Sequence, residues 1–103
     1  SQWVDTSPNG IPTDLVVQGT TTFEGTATTR AILPDTDATY DLGSATKRWA
    51  NIYSADLQLS NEGAANDVDG TWGNYTIQEG EDDLFLINRR SGKKYKFNLT
   101  EVN

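Results

Sequence analysis

The sequence predicts an all-β protein, in which Thr- and Gly-rich strands precede a compact β module that ends in a C-terminal β-hairpin. Fourteen of the 103 residues are Thr and nine are Gly. Thr favours pleated surfaces, and Gly favours the tight turns that join short strands. Residues 51–60 alternate between apolar and polar side chains, and no long stretch of the chain favours a helix. These observations together define the predicted fold class.

The composition predicts a core that is partly shared between subunits. Leu, Ile, Val and Phe account for 21 of the 103 residues, which is near the lower limit for a chain that buries enough apolar surface to fold. A domain of this size also buries a modest share of its surface and is only marginally stable alone. We therefore expect the chain to complete its core with other copies.

Residues 1–14 are predicted to form an irregular N-terminal arm. Pro8 and Pro12 lack backbone donors, and Asn9-Gly10 favours a turn. One interpretation is a docking arm in which Trp3, with Val4 beside it, inserts into a neighbouring subunit or particle. The other is a frayed terminus, which is common at chain ends.

Residues 15–43 are predicted to form a fibre-like β segment. Short strand pieces are expected at residues 15–18, 20–24 and 26–33, where Gly19 and Gly25 separate them and Pro34 ends the third. The alternative is an ordinary β-meander formed by the same three pieces.

Residues 44–103 are predicted to form the compact module. Ser44 suits the N-cap of a short helical turn over residues 45–50, with Trp49 directed toward the core. A strand follows over residues 51–60, with Tyr53, Leu57 and Leu59 on one face.

Three more strands are predicted at residues 71–78, 84–88 and 94–99. An acidic turn over residues 79–83 joins the first two, and Ser91-Gly92 lies at the tip of the terminal hairpin. Tyr95, Phe97 and Leu99 are expected to point inward.

Composition also restricts the chemistry of the chain. The net charge of −7 disfavours nonspecific binding to nucleic acid. Because His and Cys are absent, the chain has no Ser-His or Cys-His pair, no disulfide and no zinc site of the usual kind. The longest apolar run, residues 84–87, is far too short to span a bilayer. We predict neither a cofactor nor membrane insertion.

Two acidic segments are candidates for carboxylate chemistry. Glu79, Glu81, Asp82 and Asp83 could supply an acid–base pair, but carboxylates in a tight turn are normally solvated, so we predict no enzyme. Asp67-Val68-Asp69-Gly70 is similar to the start of a calcium loop. An EF-hand register would put Ala65 and Thr76 at positions that need carboxylates. A looser calcium or magnesium site stays an alternative to a simple turn, and we predict no metal.

Basic residues crowd the terminal hairpin and form a second group of candidates. One interpretation is charge pairing between subunits, and another is contact with anionic glycans. The third is a solvated hairpin whose Lys residues block aggregation. The residues concerned are Arg89, Arg90, Lys93, Lys94 and Lys96. Trp49, Trp72 and Tyr75 could stack on sugar rings, although such spacing is more typical of core residues.

Two segments resemble structural proteins of tailed bacteriophages. YDLGSATKRWANIYS, residues 40–54, resembles a segment near the distal ends of tail fibres. DVDGTWGNYTIQEGEDDLFLINRRSGKKYKFNL, residues 67–99, resembles a hairpin module in structural proteins of marine and cyanobacterial phages. The Gly spacing at residues 19 and 25 resembles fibre-shaft repeats, in which three chains wind together.

The resemblance implies a homotrimeric virion protein that contacts other virion proteins. Host attachment by noncovalent binding of a surface glycan or protein is the leading function that it implies. A capsid decoration protein docked through Trp3 is the alternative, and a carbohydrate-binding or carbohydrate-cleaving spike module is the second alternative. Loops on a rigid scaffold carry recognition. The expected surface contacts are therefore Asp35, Asp37, Asn61, Asp67, Asp69, Glu79, Glu81 and Asp82.

Overall fold

The structure, a computed structural model, describes residues 14–103, so the predicted docking residues Trp3 and Val4 lie outside the described part. The chain divides into two compact units, Ser1–Leu42 and Gly43–Asn103. Regular secondary structure of the described residues is confined to the second unit, which is all-β.

The described part of the first unit, residues 14–42, contains no strand. No strand forms within the chain at the predicted pieces 15–18, 20–24 and 26–33, so the alternative of a meander within one chain is wrong. The fibre-like pairing of these pieces between chains stays a prediction. A strand needs a neighbour for its backbone hydrogen bonds, and these short pieces have none within the described chain. Large apolar side chains remain exposed here, including Val16 at 78% and Phe23 at 73%.

The second unit contains a four-stranded antiparallel sheet in sequential order. The strands are β1 (Asp56–Ser60), β2 (Asn74–Glu79), β3 (Leu84–Asn88) and β4 (Lys94–Lys96). Leu57 pairs with Ile77, Ile77 with Leu86, and Leu86 with Tyr95, so one register row crosses all four strands. The predicted strand at residues 84–88 and the terminal hairpin are confirmed.

The hairpin tip forms as its sequence predicts. The Asn88 side-chain oxygen accepts hydrogen bonds from the amides of Arg90 and Ser91, at 3.0 and 3.2 Å. Gly92 then has a φ of 77°, a conformation that costs an L-residue energy and glycine little. Its amide donates to the Asn88 carbonyl oxygen at 2.8 Å, which closes the turn.

Three strands are shorter than predicted because their partners end. Asp56 pairs with Gln78, and β2 ends one residue later at Glu79, so the alternating residues 51–55 have no neighbouring strand. β2 begins at residue 74 rather than 71. β4 ends at Lys96, although the Phe97 amide still donates to the Leu84 carbonyl at 3.0 Å.

The helical turn predicted at residues 45–50 is absent, although its cap is present. The Ser44 hydroxyl oxygen accepts a hydrogen bond from the Lys47 amide at 3.0 Å, as an N-cap would. The chain continues as bends rather than a helix. Trp49 is 63% exposed, so its predicted place in a core is wrong. The first turn of a helix is unfavourable because it fixes several backbone dihedral angles and gains one hydrogen bond in return. A helix therefore continues from such a turn only when packing stabilises it.

The two faces of the sheet differ in polarity. Strand alternation and the register place seven apolar side chains on one side, here called the apolar face. Its members are Leu57, Leu59, Tyr75, Ile77, Leu84, Leu86 and Tyr95. The opposite side, here called the polar face, carries mostly polar and charged residues, among them Asp56, Gln58, Thr76, Gln78, Lys94 and Lys96, together with Phe85 and Ile87.

The apolar face is not covered within its unit. Leu57 is 51% exposed, Leu59 46% and Tyr95 48%. Tyr95 therefore does not point into a closed core as predicted, Phe97 is half-buried, and Leu99 is 72% exposed beyond the end of β4. The sheet presents an apolar surface rather than an enclosed interior.

Candidate functional site

The sheet topology places the predicted site loops at two opposite ends. The loop of residues 61–73 follows β1 and the hairpin tip of residues 89–93 follows β3, and both strands run in the same direction. These two loops therefore share one end of the sheet, here called the loop end. The acidic turn lies at the other end because it follows β2; it spans residues 80–83 rather than the predicted 79–83, since Glu79 is the last residue of β2. A five-residue strand, about 17 Å, separates the two ends.

The loop of residues 61–73 is closed at its base by Asn61. The Asn61 side-chain oxygen accepts a hydrogen bond from the Gly73 amide at 2.8 Å, and the Asn61 amide donates to the Gly73 carbonyl at 3.3 Å. The half-buried Asn61 side chain thus holds the loop together.

A network of hydrogen bonds centred on Asn66 shapes the tip of the same loop. The Asn66 side-chain oxygen accepts from the amides of Val68 and Asp69, at 2.8 and 2.9 Å. Its side-chain amide donates to an Asp69 carboxylate oxygen at 2.7 Å and to the Thr71 carbonyl at 2.9 Å. A turn closed by Asx interactions explains the Asp-Val-Asp-Gly segment.

The Asp69 carboxylate is held in its charged form. The Thr71 hydroxyl donates to it at 2.7 Å, and the Thr71 amide donates at 3.1 Å. The hydroxyl of Thr71 first, then the amide of Asn66 and the Thr71 backbone, lower the pKa of Asp69 below its ordinary value of 3.8. Within residues 14–103 no group of three or more Asp or Glu residues is arranged to hold a metal ion.

Arg90 joins the two loops of the loop end. Its guanidinium carbon lies 3.7 Å from the centroid of the Trp72 ring, and its Nη1 donates to the Trp72 carbonyl at 3.0 Å. A guanidinium stacked on an indole face is held by cation–π attraction. Asn88 donates to the Tyr75 hydroxyl at 3.4 Å beside this pair. Trp72, Tyr75, Asn88 and Arg90 line one shallow open recess.

The polar face contains a second network, centred on Thr76. Thr76 is fully buried; its hydroxyl donates to the Gln58 side-chain oxygen at 2.6 Å and accepts from Arg89 Nε at 3.0 Å. Ile87, beside it in the register, is 9% exposed. Long side chains thus cover the middle of this face. Neither this network nor the Arg90–Trp72 pair was predicted from the sequence, since residues 18 positions apart meet only through the strand register.

The remaining predicted contact residues lie apart from the loop end. Glu79, Glu81 and Asp82 are exposed at the opposite end, where water solvates their carboxylates. Asp35 and Asp37 belong to the first unit, in a turn where the Thr39 hydroxyl donates to the Asp37 carbonyl at 2.9 Å. The topology places six of the predicted residues at the loop end: the contact residues Asn61, Asp67 and Asp69, and the charge-pairing residues Arg89, Arg90 and Lys93.

Comparison of the chain with family models, with curated proteins and with solved structures gives no match. No helix of residues 14–103 has the length and apolar character needed to cross a membrane.

Proposed function

We propose that this chain is a structural component of a tailed-phage virion, acting as a homotrimeric tail-fibre protein in host attachment. The observation that carries this proposal is the uncovered apolar face. A sheet with seven apolar side chains on one side needs a partner to remove them from water. Fibre proteins made of several identical chains supply such a partner.

The first unit supports the same proposal through its exposed apolar side chains. Ile32 and Leu33 are 77% and 82% exposed, and Tyr40 and Leu42 are 64% and 78% exposed. With Pro34 they line one apolar recess within this unit. Extended Thr-rich segments gain strand partners when three chains wind together, as in the fibre shafts that this segment resembles.

Attachment is proposed to occur at the loop end, through noncovalent contact with a host surface glycan or protein. There the Arg90–Trp72 pair and the hydrogen-bonded loop give a rigid display of polar and aromatic groups. Prior ordering of these side chains lowers the entropy lost on binding.

Two measurements test this proposal. Light scattering coupled to gel filtration should give three times the chain mass of 11.3 kDa, and the value should persist on dilution. Gold-labelled antibody against the chain should bind purified virions at the tail in a few copies. Labelling over the head would favour the decoration protein instead, and a stable folded monomer would overturn the trimeric assembly.

A further inference from the structure

The two edges of the sheet carry opposite charges at matching positions. β1 forms one edge and β4 the other. Asp56 on β1 and Lys96 on β4 belong to a single register row, Asp56–Gln78–Phe85–Lys96, and so lie on the same face. The next row of that face ends in Gln58 at the β1 edge and in Lys94 at the β4 edge.

Strand direction lets these edges pair between copies. In a four-stranded antiparallel meander, β4 runs opposite to β1. A second copy placed with its β4 alongside β1, in the same orientation, therefore continues the antiparallel pattern. Both edges offer backbone N–H and C=O groups for the new ladder. With the rows aligned, Lys96 of one copy lies directly across from Asp56 of the next, at the spacing of a cross-strand pair.

Pairing between two identical edges is disfavoured by their charges. Pairing β4 with β4 would bring Lys94 of one copy across from Lys96 of the other, whereas pairing β1 with β1 would place no positive charge across from Asp56. Like charges placed across an interface are unfavourable, whereas opposite charges fix the register. The charges therefore select the contact between unlike edges.

The exposure of the apolar face points to the same contact. In the row Leu57–Ile77–Leu86–Tyr95, the two edge residues are 51% and 48% exposed, whereas Ile77 and Leu86 of the central strands are half-buried. Edge-to-edge pairing would set Tyr95 of one copy beside Leu57 of the next. An aromatic side chain and an aliphatic one form a favourable cross-strand pair.

We propose that copies of this chain join edge to edge, β4 of one against β1 of the next, in a closed ring lined by the apolar face. Lys96 of each copy pairs with Asp56 of its neighbour. The polar face lies outside, since the Thr76 network already covers its middle. Such head-to-tail contacts between different patches close into rings when the rotation permits. This inference rests on the proposed homotrimer and names the surfaces that form it.

Cysteine cross-linking tests this contact directly, because the chain has no Cys of its own. The variant carrying both Asp56→Cys and Lys96→Cys should form covalent dimers and trimers on mild oxidation, seen on a denaturing gel. Within one chain these positions are separated by three strand spacings, about 14 Å, so a bond inside the chain is prevented. Asp56→Cys alone and Lys96→Cys alone are the matched controls and should stay monomeric on that gel.

Charge reversal gives an independent measurement that requires no oxidation. Asp56→Lys alone or Lys96→Asp alone should weaken assembly. The chain concentration at which half of the trimer dissociates should rise about tenfold in either variant. The two changes together should restore assembly, whereas Lys47→Asp, a charge reversal outside the sheet, should have no effect. Circular dichroism of each variant checks that the sheet is intact.

The outcomes separate this inference from the proposed function. A native trimer that forms no covalent species in the double-Cys variant, and that tolerates each single charge reversal, would overturn the edge contact alone. Cross-links in either single-Cys variant would indicate pairing of like edges and would also overturn it. A native chain that is monomeric by light scattering would overturn the trimer on which the inference rests.

Discussion

Replacing Thr76 with Val should destabilise the sheet although the two side chains have nearly the same shape. Thr76 is fully buried, and its hydroxyl makes two hydrogen bonds, one to Gln58 and one to the charged Arg89. A neutral hydrogen bond contributes about 1 kcal/mol, and one to a charged group contributes about 1.5–3 kcal/mol. Gln58 and Arg89 are exposed, so water can satisfy both in the variant. The expected net loss is therefore about 1–2 kcal/mol.

Urea denaturation followed by Trp fluorescence measures this loss, at one fixed chain concentration because assembly contributes to stability. Thr76→Ser keeps the hydroxyl and should retain more of the stability than Thr76→Val. Thr46→Val, at an exposed position, is the control for the loss of a hydroxyl by itself. A Thr76→Val variant as stable as the native chain would refute the assigned role of the network. So would strict additivity of Thr76→Val and Gln58→Leu.

Three further predictions concern the loop end and its turns. Asp69→Asn should lower the free energy of unfolding at neutral pH. Because the pKa of Asp69 is lowered in the folded state, the difference in unfolding free energy between the variant and the native chain should shrink as the pH falls below 3.8. Denaturation at a series of pH values measures it, and a difference that grows in acid would contradict the hydrogen-bonding account. Gly92→Ala should cost about 1 kcal/mol because its φ is 77°, whereas Gly25→Ala, also in open space, should be nearly neutral by the same urea assay. Arg90→Ala should remove about 0.5–1 kcal/mol of cation–π attraction and change the emission of Trp72. Unchanged spectra and stability would show that the stacked pair is not formed in solution.

The sequence predicted the terminal hairpin well because its signals are local. The apolar run of residues 84–87 and the Ser91-Gly92 tip each specify structure within a few residues, and the chain forms both. Leu57 and Leu59 also share a face as predicted.

The strand ends could not be predicted because they depend on partners. Residues 51–55 were predicted to extend the strand of residues 56–60, but β2 ends before it could pair with them. The Thr-rich pieces of residues 15–33 have strand propensity but no neighbouring strand within residues 14–103. Strand propensity indicates that a residue fits an extended conformation, whereas a strand exists only when another strand supplies its backbone hydrogen bonds.

The candidate site was predicted in its loops and missed in its contacts. Asp67, Asp69 and the basic tip were each expected at the surface, but their meeting at one end follows from the topology. Arg90 reaches Trp72 because β3 returns the chain to the loop that precedes β2. No local pattern in the sequence encodes that approach.

The sequential strand order has a consequence for the time course of folding. Every ladder joins neighbours in the chain, and the longest connection, residues 61–73, has 13 residues. Proteins dominated by such local contacts have low contact order and fold fast. The sheet can therefore form in a unimolecular step, even during synthesis, before a second copy arrives. Refolding should then show an early phase whose rate is independent of concentration, and a later one that quickens as the chain concentration rises.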